Sequence, residues 1–136
     1  MKTNAILTAS FLLVIMAGLS CKKNKIDPPA HTPGERKVTY ILYTSKNFAA
    51  NNQSITFTLR MTTASGVLWD SVLAPMALKN IPGASNKLII EKKVPGNNNS
   101  ELVTGFTYVL ENVGISWYNE IFKAGDVNKT VSFDFQ

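Results

Sequence analysis

The chain of 136 residues contains one cysteine, Cys21, and one histidine, His31. These two scarcities exclude much of the chemistry a small domain can carry. A lone thiol forms no intramolecular disulfide, so stability has to come from packing. Zinc sites need several Cys or His ligands at suitable spacings, and none can be assembled. A Ser-His-Asp or Cys-His arrangement needs a histidine inside the domain, whereas His31 falls in a proline-rich stretch. No glycine-rich phosphate loop is present, and nothing after Cys21 keeps a helical period over about twelve residues. The longest apolar run, Ala5 to Ala17 (AILTASFLLVIMA), would cover about 20 Å as a helix against a membrane core of roughly 30 Å.

Charge is equally restrained. The formal charge is +5; Lys2 supplies one of these charges, and Lys22, Lys23 and Lys25 against Asp27 and Glu35 supply one more, which leaves +3 for residues 36–136. The pI near 9.4 would suit nucleic acid, but there is no arginine cluster and lysines and glutamates are interspersed. A mildly basic, solvated surface is expected, with no nucleic-acid partner.

What is present begins at the first residue. Lys2, the apolar run and the small residues behind it have the layout of a secretory signal, whose h-region is shorter than a spanning helix. The run ends in Gly18-Leu19-Ser20-Cys21. This box resembles the cleavage box of bacterial lipoproteins, in the looser form familiar from the Bacteroidota. It has the small residue and the cysteine in place and departs at the bulky Leu19 and the non-aliphatic Gly18. The resemblance covers residues 1–21 alone. It implies removal of residues 1–20 and a diacylglyceryl thioether on Cys21, usually with an acylated amine carrying a chain such as palmitate. Each buried methylene contributes about 0.8 kcal/mol, and two or more chains anchor stably. No other cofactor is expected.

Residues 21–35 then form the lipidated cysteine and a tether. Lys22 to Glu35 (KKNKIDPPAHTPGE) holds three prolines and almost nothing apolar, and such a segment spans roughly 20 to 40 Å depending on stiffness. Surface-exported lipoproteins of the resembled group are acid-rich after the cysteine, and aspartate in the second mature position marks inner-membrane retention in the enterobacterial scheme. Lys22 follows neither pattern. The expected address is the outer membrane, with the domain facing the periplasm and the lipid on Cys21 as its membrane contact.

From Arg36 the period changes to two, the mark of strands that present alternate side chains to opposite faces. Val38, Tyr40 and Leu42 open the series. Ile55, Phe57, Leu59 and Met61 alternate strictly with Thr56, Thr58, Arg60 and Thr62. Further strands are read at Val67 to Leu73, Leu88 to Val94, Leu102 to Glu111, Ile115 to Phe122 and Val131 to Phe135, with Leu73 to Leu78 as an edge continuation around Pro75. Within them, Leu102, Thr104, Phe106, Tyr108 and Leu110 are placed in step, and Trp117 is placed inward. About seven short strands with turn signals between them predict one all-β domain over residues 36–136. The predicted fold is a single antiparallel β-sandwich, immunoglobulin-like or transthyretin-like.

Carboxylates are the one catalytic resource left: Asp70, Glu91, Glu101, Glu111, Glu120, Asp126 and Asp134. No spacing among them suggests the facing pair a glycosidase needs, nor the dense acidic loop of a calcium site around Asp126 and Asn128. No catalytic residue and no metal ligand is assigned, and the expected function is non-enzymatic. Large aromatics are the better resource, because an exposed one can stack on a sugar or anchor a protein. Tyr43, Trp69 and Tyr118 are the candidate binding residues; period two sets Tyr43 and Tyr118 opposite the presumed inward set. The expectation is a lipid-anchored envelope protein acting as a binding or assembly module for another envelope protein, or as a carbohydrate-binding accessory protein.

Overall fold

The computed structural model describes residues 34–136. The leader, Cys21 and the tether as far as residue 33 lie outside the described residues. Eight strands follow in order: β1 (Lys37–Tyr43), β2 (Ser54–Thr63), β3 (Gly66–Val72), β4 (Met76–Ala77), β5 (Leu88–Lys93), β6 (Leu102–Leu110), β7 (Gly114–Phe122) and β8 (Asn128–Asp134). They form a β-sandwich. The smaller sheet has the order β5-β1-β8; the larger has the order β3-β2-β6-β7, with the two-residue β4 added against the start of β2. Pro75 immediately precedes β4, as its lack of a ladder donor requires.

All pairings between these strands are antiparallel except one. The first and last strands lie side by side and run parallel, Lys37 opposite Asn128 through Tyr43 opposite Asp134. The sandwich is antiparallel-dominated, as expected, and the parallel pair arises because β1 already pairs antiparallel with β5 and the chain returns to its other edge in the same direction. Since β1 and β2 belong to different sheets, the connectivity also differs from the immunoglobulin order, in which the first two strands are neighbours.

The core forms because each strand alternates. In β2, Ile55, Phe57, Leu59 and Met61 are fully buried, while the threonines and Arg60 between them face out. Val38, Tyr40 and Leu42 of β1 meet them from the other sheet, with Leu102, Phe106, Phe122, Val131 and Phe135 completing the buried set. Phe133 is the centre of an aromatic group. It stacks on Tyr118 at 5.0 Å between centroids and lies 5.6 Å from Phe106 and 5.7 Å from Tyr108. Such pairs add about 0.5–1.5 kcal/mol each beyond area burial.

The β6–β7 hairpin decides which side chains join this core. Asn112 takes the left-handed conformation (φ 61°) that asparagine tolerates better than most residues, and the turn sets Leu110 opposite Gly114. Paired residues share a face of the sheet. Phe106 therefore brings Tyr118 inward and Thr107 sends Trp117 outward. The expected orientations of Trp117 and Tyr118 are thus reversed. The strand's apolar weight in Ile115, Trp117 and Ile121 suggests the opposite face, but β6 has the greater buried set and dictates the register.

Two buried polar groups hold the layers. The Tyr40 hydroxyl crosses from β1 to the larger sheet, where it donates to the Arg60 carbonyl oxygen at 2.9 Å and shares a 2.8 Å hydrogen bond with the Thr104 hydroxyl. Burial pushes its pKa up to about 12, against a smaller lowering by Thr104. At one end of the sandwich, Arg36 is 2% exposed. Its Nε donates to Asp126 O at 2.8 Å, Nη1 to Asn98 O and Ser100 O at 2.7 Å, and Nη2 to Lys123 O at 2.7 Å. The guanidinium also lies 3.9 Å from the centroid of the Phe122 ring. Burial lowers its pKa and the Asp126 charge partly restores it. One planar fork thereby fastens the β5–β6 loop and the β7–β8 loop together.

Replacing Arg36 by Met keeps much of the side chain's length and leaves four carbonyls without their donor, so Arg36→Met is expected to lose about 3–5 kcal/mol in urea titration. Arg36→Lys should recover only a small part, because an ammonium cannot reproduce the fork. Tyr40 predicts an alkaline transition. Its neutral form is favoured by folding, so that its contribution is complete below the unfolded pKa of 10.0 and is lost as pH rises toward about 12. Unfolding free energy should fall by about 2–3 kcal/mol across that window, and the step should shrink in Tyr40→Phe.

Candidate functional site

The three sequence-predicted binding residues do not converge. Tyr43 is half-buried on the outer face of the smaller sheet, with the Lys87 ammonium 4.1 Å from its ring centroid. Trp69 sits on β3 and packs against the core, 6.1 Å from Tyr40, with Lys92 5.0 Å away. A β-bulge explains its surroundings: Met61 pairs with Trp69 and Thr62 with Val67, so Leu68 is the extra residue and both Leu68 and Trp69 pack on the core. Tyr118 faces inward, stacked on Phe133.

Tyr118 belongs instead to the seam between the two sheets. Its hydroxyl donates to Glu120 Oε1 at 2.9 Å, and Glu120 Oε2 lies 2.5 Å from the Lys129 ammonium of β8. Burial pushes the Glu120 carboxyl up, but hydrogen bonds from Lys129 and Tyr118, the Lys129 charge and the Ser132 N–H together hold it below the usual range. The Tyr118 pKa is raised, chiefly by its bond to Glu120 and then by burial. This group closes the sandwich where β7 and β8 approach.

Other carboxylates are engaged in the same structural manner. Glu91 pairs with Lys37 at 3.1 Å. Glu111 accepts from the Ser54 N–H at 3.1 Å. Asp134 accepts from the Ser45 hydroxyl and N–H, which lower its pKa. Among the described residues, no group of three or more His, Cys, Asp or Glu side chains could hold a metal ion.

A different surface draws attention, the outer face of the β3-β2-β6-β7 sheet. Its side chains form rows across the strands. One row runs Asp70, Arg60, Gly105, Asn119; the next runs Val72, Thr58, Thr107, Trp117. Thr62, Val103 and Ile121 flank them on one side, and Thr56, Val109 and Ile115 on the other. Trp117 is 68% exposed, and Val72, Ile115 and Ile121 are each more than half exposed. A shallow depression of about 360 Å³ lies between Arg60, Thr107, Trp117 and Asn119.

Gly105 sets the close packing of β6 against β7 beside it. It lies in the row between Arg60 and Asn119 and is buried by the backbone of β7 and the Asn119 side chain. A Cβ there would collide with the Tyr118 carbonyl oxygen and stand 2.6 Å from Asn119 Oδ1. Beside it, Arg60 makes only a long pair with Asp70, at 3.9 Å, and its Nε is buried without a hydrogen-bond partner among the described residues. The depression therefore combines one large exposed aromatic ring with the Arg60 and Asn119 side chains in its lining.

The chain matches no protein-family model, and comparison with curated proteins and with solved structures likewise finds no match. The site is therefore read from its own geometry. Period two separates the two faces of β7, and the apolar weight of the strand selects Trp117 as inward and Tyr118 as outward, the reverse of what the structure shows. The one available signal was the row register: a hairpin loop of three residues between Leu110 and Gly114 already places Trp117 beside Thr107.

Gly105→Ala should force β6 and β7 apart at a cost of about 1–3 kcal/mol, read as a fall in Tm of at least about 5 °C. Gly83→Ala, where an added Cβ meets nothing within 4 Å, should leave Tm unchanged.

Proposed function

We propose that this protein is a lipid-anchored envelope protein whose domain is a non-enzymatic binding module, and that it binds through the outer face of its larger sheet. The single observation that carries the binding surface is Trp117: a large aromatic, 68% exposed, in a fold that, apart from the half-buried Tyr43, packs its other described aromatics in or against the core. Exposed apolar residues set in one patch mark an interaction site, whereas the same residues scattered singly do not. Val72, Val103, Val109, Ile115 and Ile121 share Trp117's face, where the register puts them in neighbouring rows. The carboxylates support a non-catalytic reading, since those with defined partners serve ion pairs, turns and the sheet seam.

The anchor rests on the leader and on Cys21, with Lys22 favouring an outer-membrane, periplasm-facing address. Tethered in this way, the domain needs only modest affinity, because confinement near the membrane raises the effective concentration of any envelope-bound ligand.

Two measurements test the proposal. Growth with an alkyne fatty acid should label the chain, and Cys21→Ser should abolish the label and move the protein from the membrane to the soluble fraction; persistence of both would refute the anchor. A photo-crosslinking residue placed at Ile121 on the larger sheet should yield adducts in intact cells, and one at Thr39 on the smaller sheet should not. Equal yields from both positions would refute the assigned face.

A further inference from the structure

We infer that the outer face of the larger sheet is a carbohydrate site, with Trp117 as the stacking platform for a pyranose ring and Arg60 and Asn119 as its hydrogen-bonding partners. The inference rests on the binding-module reading and names the ligand class of that same face.

Its first support is chemical. A pyranose presents apolar C–H groups on its faces and hydroxyls around its rim, each hydroxyl both donor and acceptor. Trp117 offers a broad apolar ring with a polar N–H at its edge. Arg60 offers a donor fork, Asp70 an acceptor, Asn119 both, and the Thr107 and Thr58 hydroxyls both. Thr107 is the direct cross-strand neighbour of Trp117, and Arg60 stands two strands away from it, about 10 Å across the sheet. Apolar and polar functions thus alternate over the distance covered by a short oligosaccharide. With Arg60 and Asp70 of opposite charge in one row, the face suits a neutral glycan rather than a strongly charged one.

Its second support is the polar row. The apolar residues of this face are interrupted by the Asp70-Arg60-Gly105-Asn119 row, so an apolar protein surface seated on it would have to desolvate that row. A sugar pairs with it.

Rigidity is the third support. The platform stands on paired strands rather than loops, which lowers the ordering cost of binding.

The test uses the full mature lipoprotein in detergent, carrying Trp69→Phe so that Trp117 is the only tryptophan, titrated with cellohexaose, xylohexaose, mannohexaose and maltohexaose. At least one should shift the Trp117 fluorescence in a saturable manner. Trp117→Ala, followed by isothermal calorimetry, should weaken that binding about tenfold or more, and Arg60→Ala or Asn119→Ala by several-fold. The Trp117→Ala variant should melt like its parent because the side chain is exposed. No saturable response to any of the four sugars at millimolar concentration, or binding unchanged in Trp117→Ala, overturns the inference. A concentration-dependent dimer in sedimentation that Trp117→Ala dissociates also overturns it, in favour of a second copy, while the binding-module reading would stand. Equal adduct yields from Ile121 and Thr39 would fail that broader reading instead.

Discussion

Residues opposite one another on neighbouring strands must share a face, and this constraint reaches furthest in the hairpin between β6 and β7. Leu110 opposite Gly114 sends Phe106 and Tyr118 together into the core and Thr107 and Trp117 together to the surface. The same register puts Glu120 and Phe122 inward, so that β7 supplies the seam with β8 and the ring beneath Arg36. It also places Asn119 over Gly105. A slip of one residue would exchange these roles throughout the strand. Core, seam and candidate site therefore depend on one turn.

Polar groups complete what apolar packing begins. The sandwich has no disulfide among its described residues, since none of them is cysteine, and it is pinned instead at three places: Tyr40 through the middle, Arg36 at one end, and the Tyr118-Glu120-Lys129 group along one open edge. Each is largely satisfied by the protein itself, which is the condition under which burying a polar group is tolerable. Arg60 is the contrast. Its side chain is 40% exposed and makes a long ion pair with Asp70, and the difference between the two arginines separates a structural role from an available one.

Much of the fold was legible in the sequence because its strands alternate and its turns carry glycine, asparagine and proline. The strict period of Ile55 to Met61, the inward set of β6 and the marginal strand beside Pro75 all appear where the pattern places them. Long-range choices were not legible. Nothing local in Lys37 to Tyr43 says that its second neighbour is the final strand, running parallel. Arg36 reads only as the first residue of the domain, with nothing local to mark it as buried, since its carbonyl partners lie more than sixty residues away. In β7 Ile115, Trp117 and Ile121 lie on the exposed face, so a pattern rule that assigns most apolar side chains to the core selects the wrong one. That exception is itself informative, because consistency between pattern and burial tends to fail at functional surfaces.

The position of β1 has a mechanical consequence. It is the central strand of its sheet, held by β5 on one side and β8 on the other, and the chain enters it directly after the Arg36 fork. A pull applied to the chain ahead of Arg36 would act along the axis of β1. It would load both of its hydrogen-bonded ladders in shear, all bonds together, rather than peel an edge strand one bond at a time. Tension entering the chain at that end would thus be met first by the domain's best-supported strand.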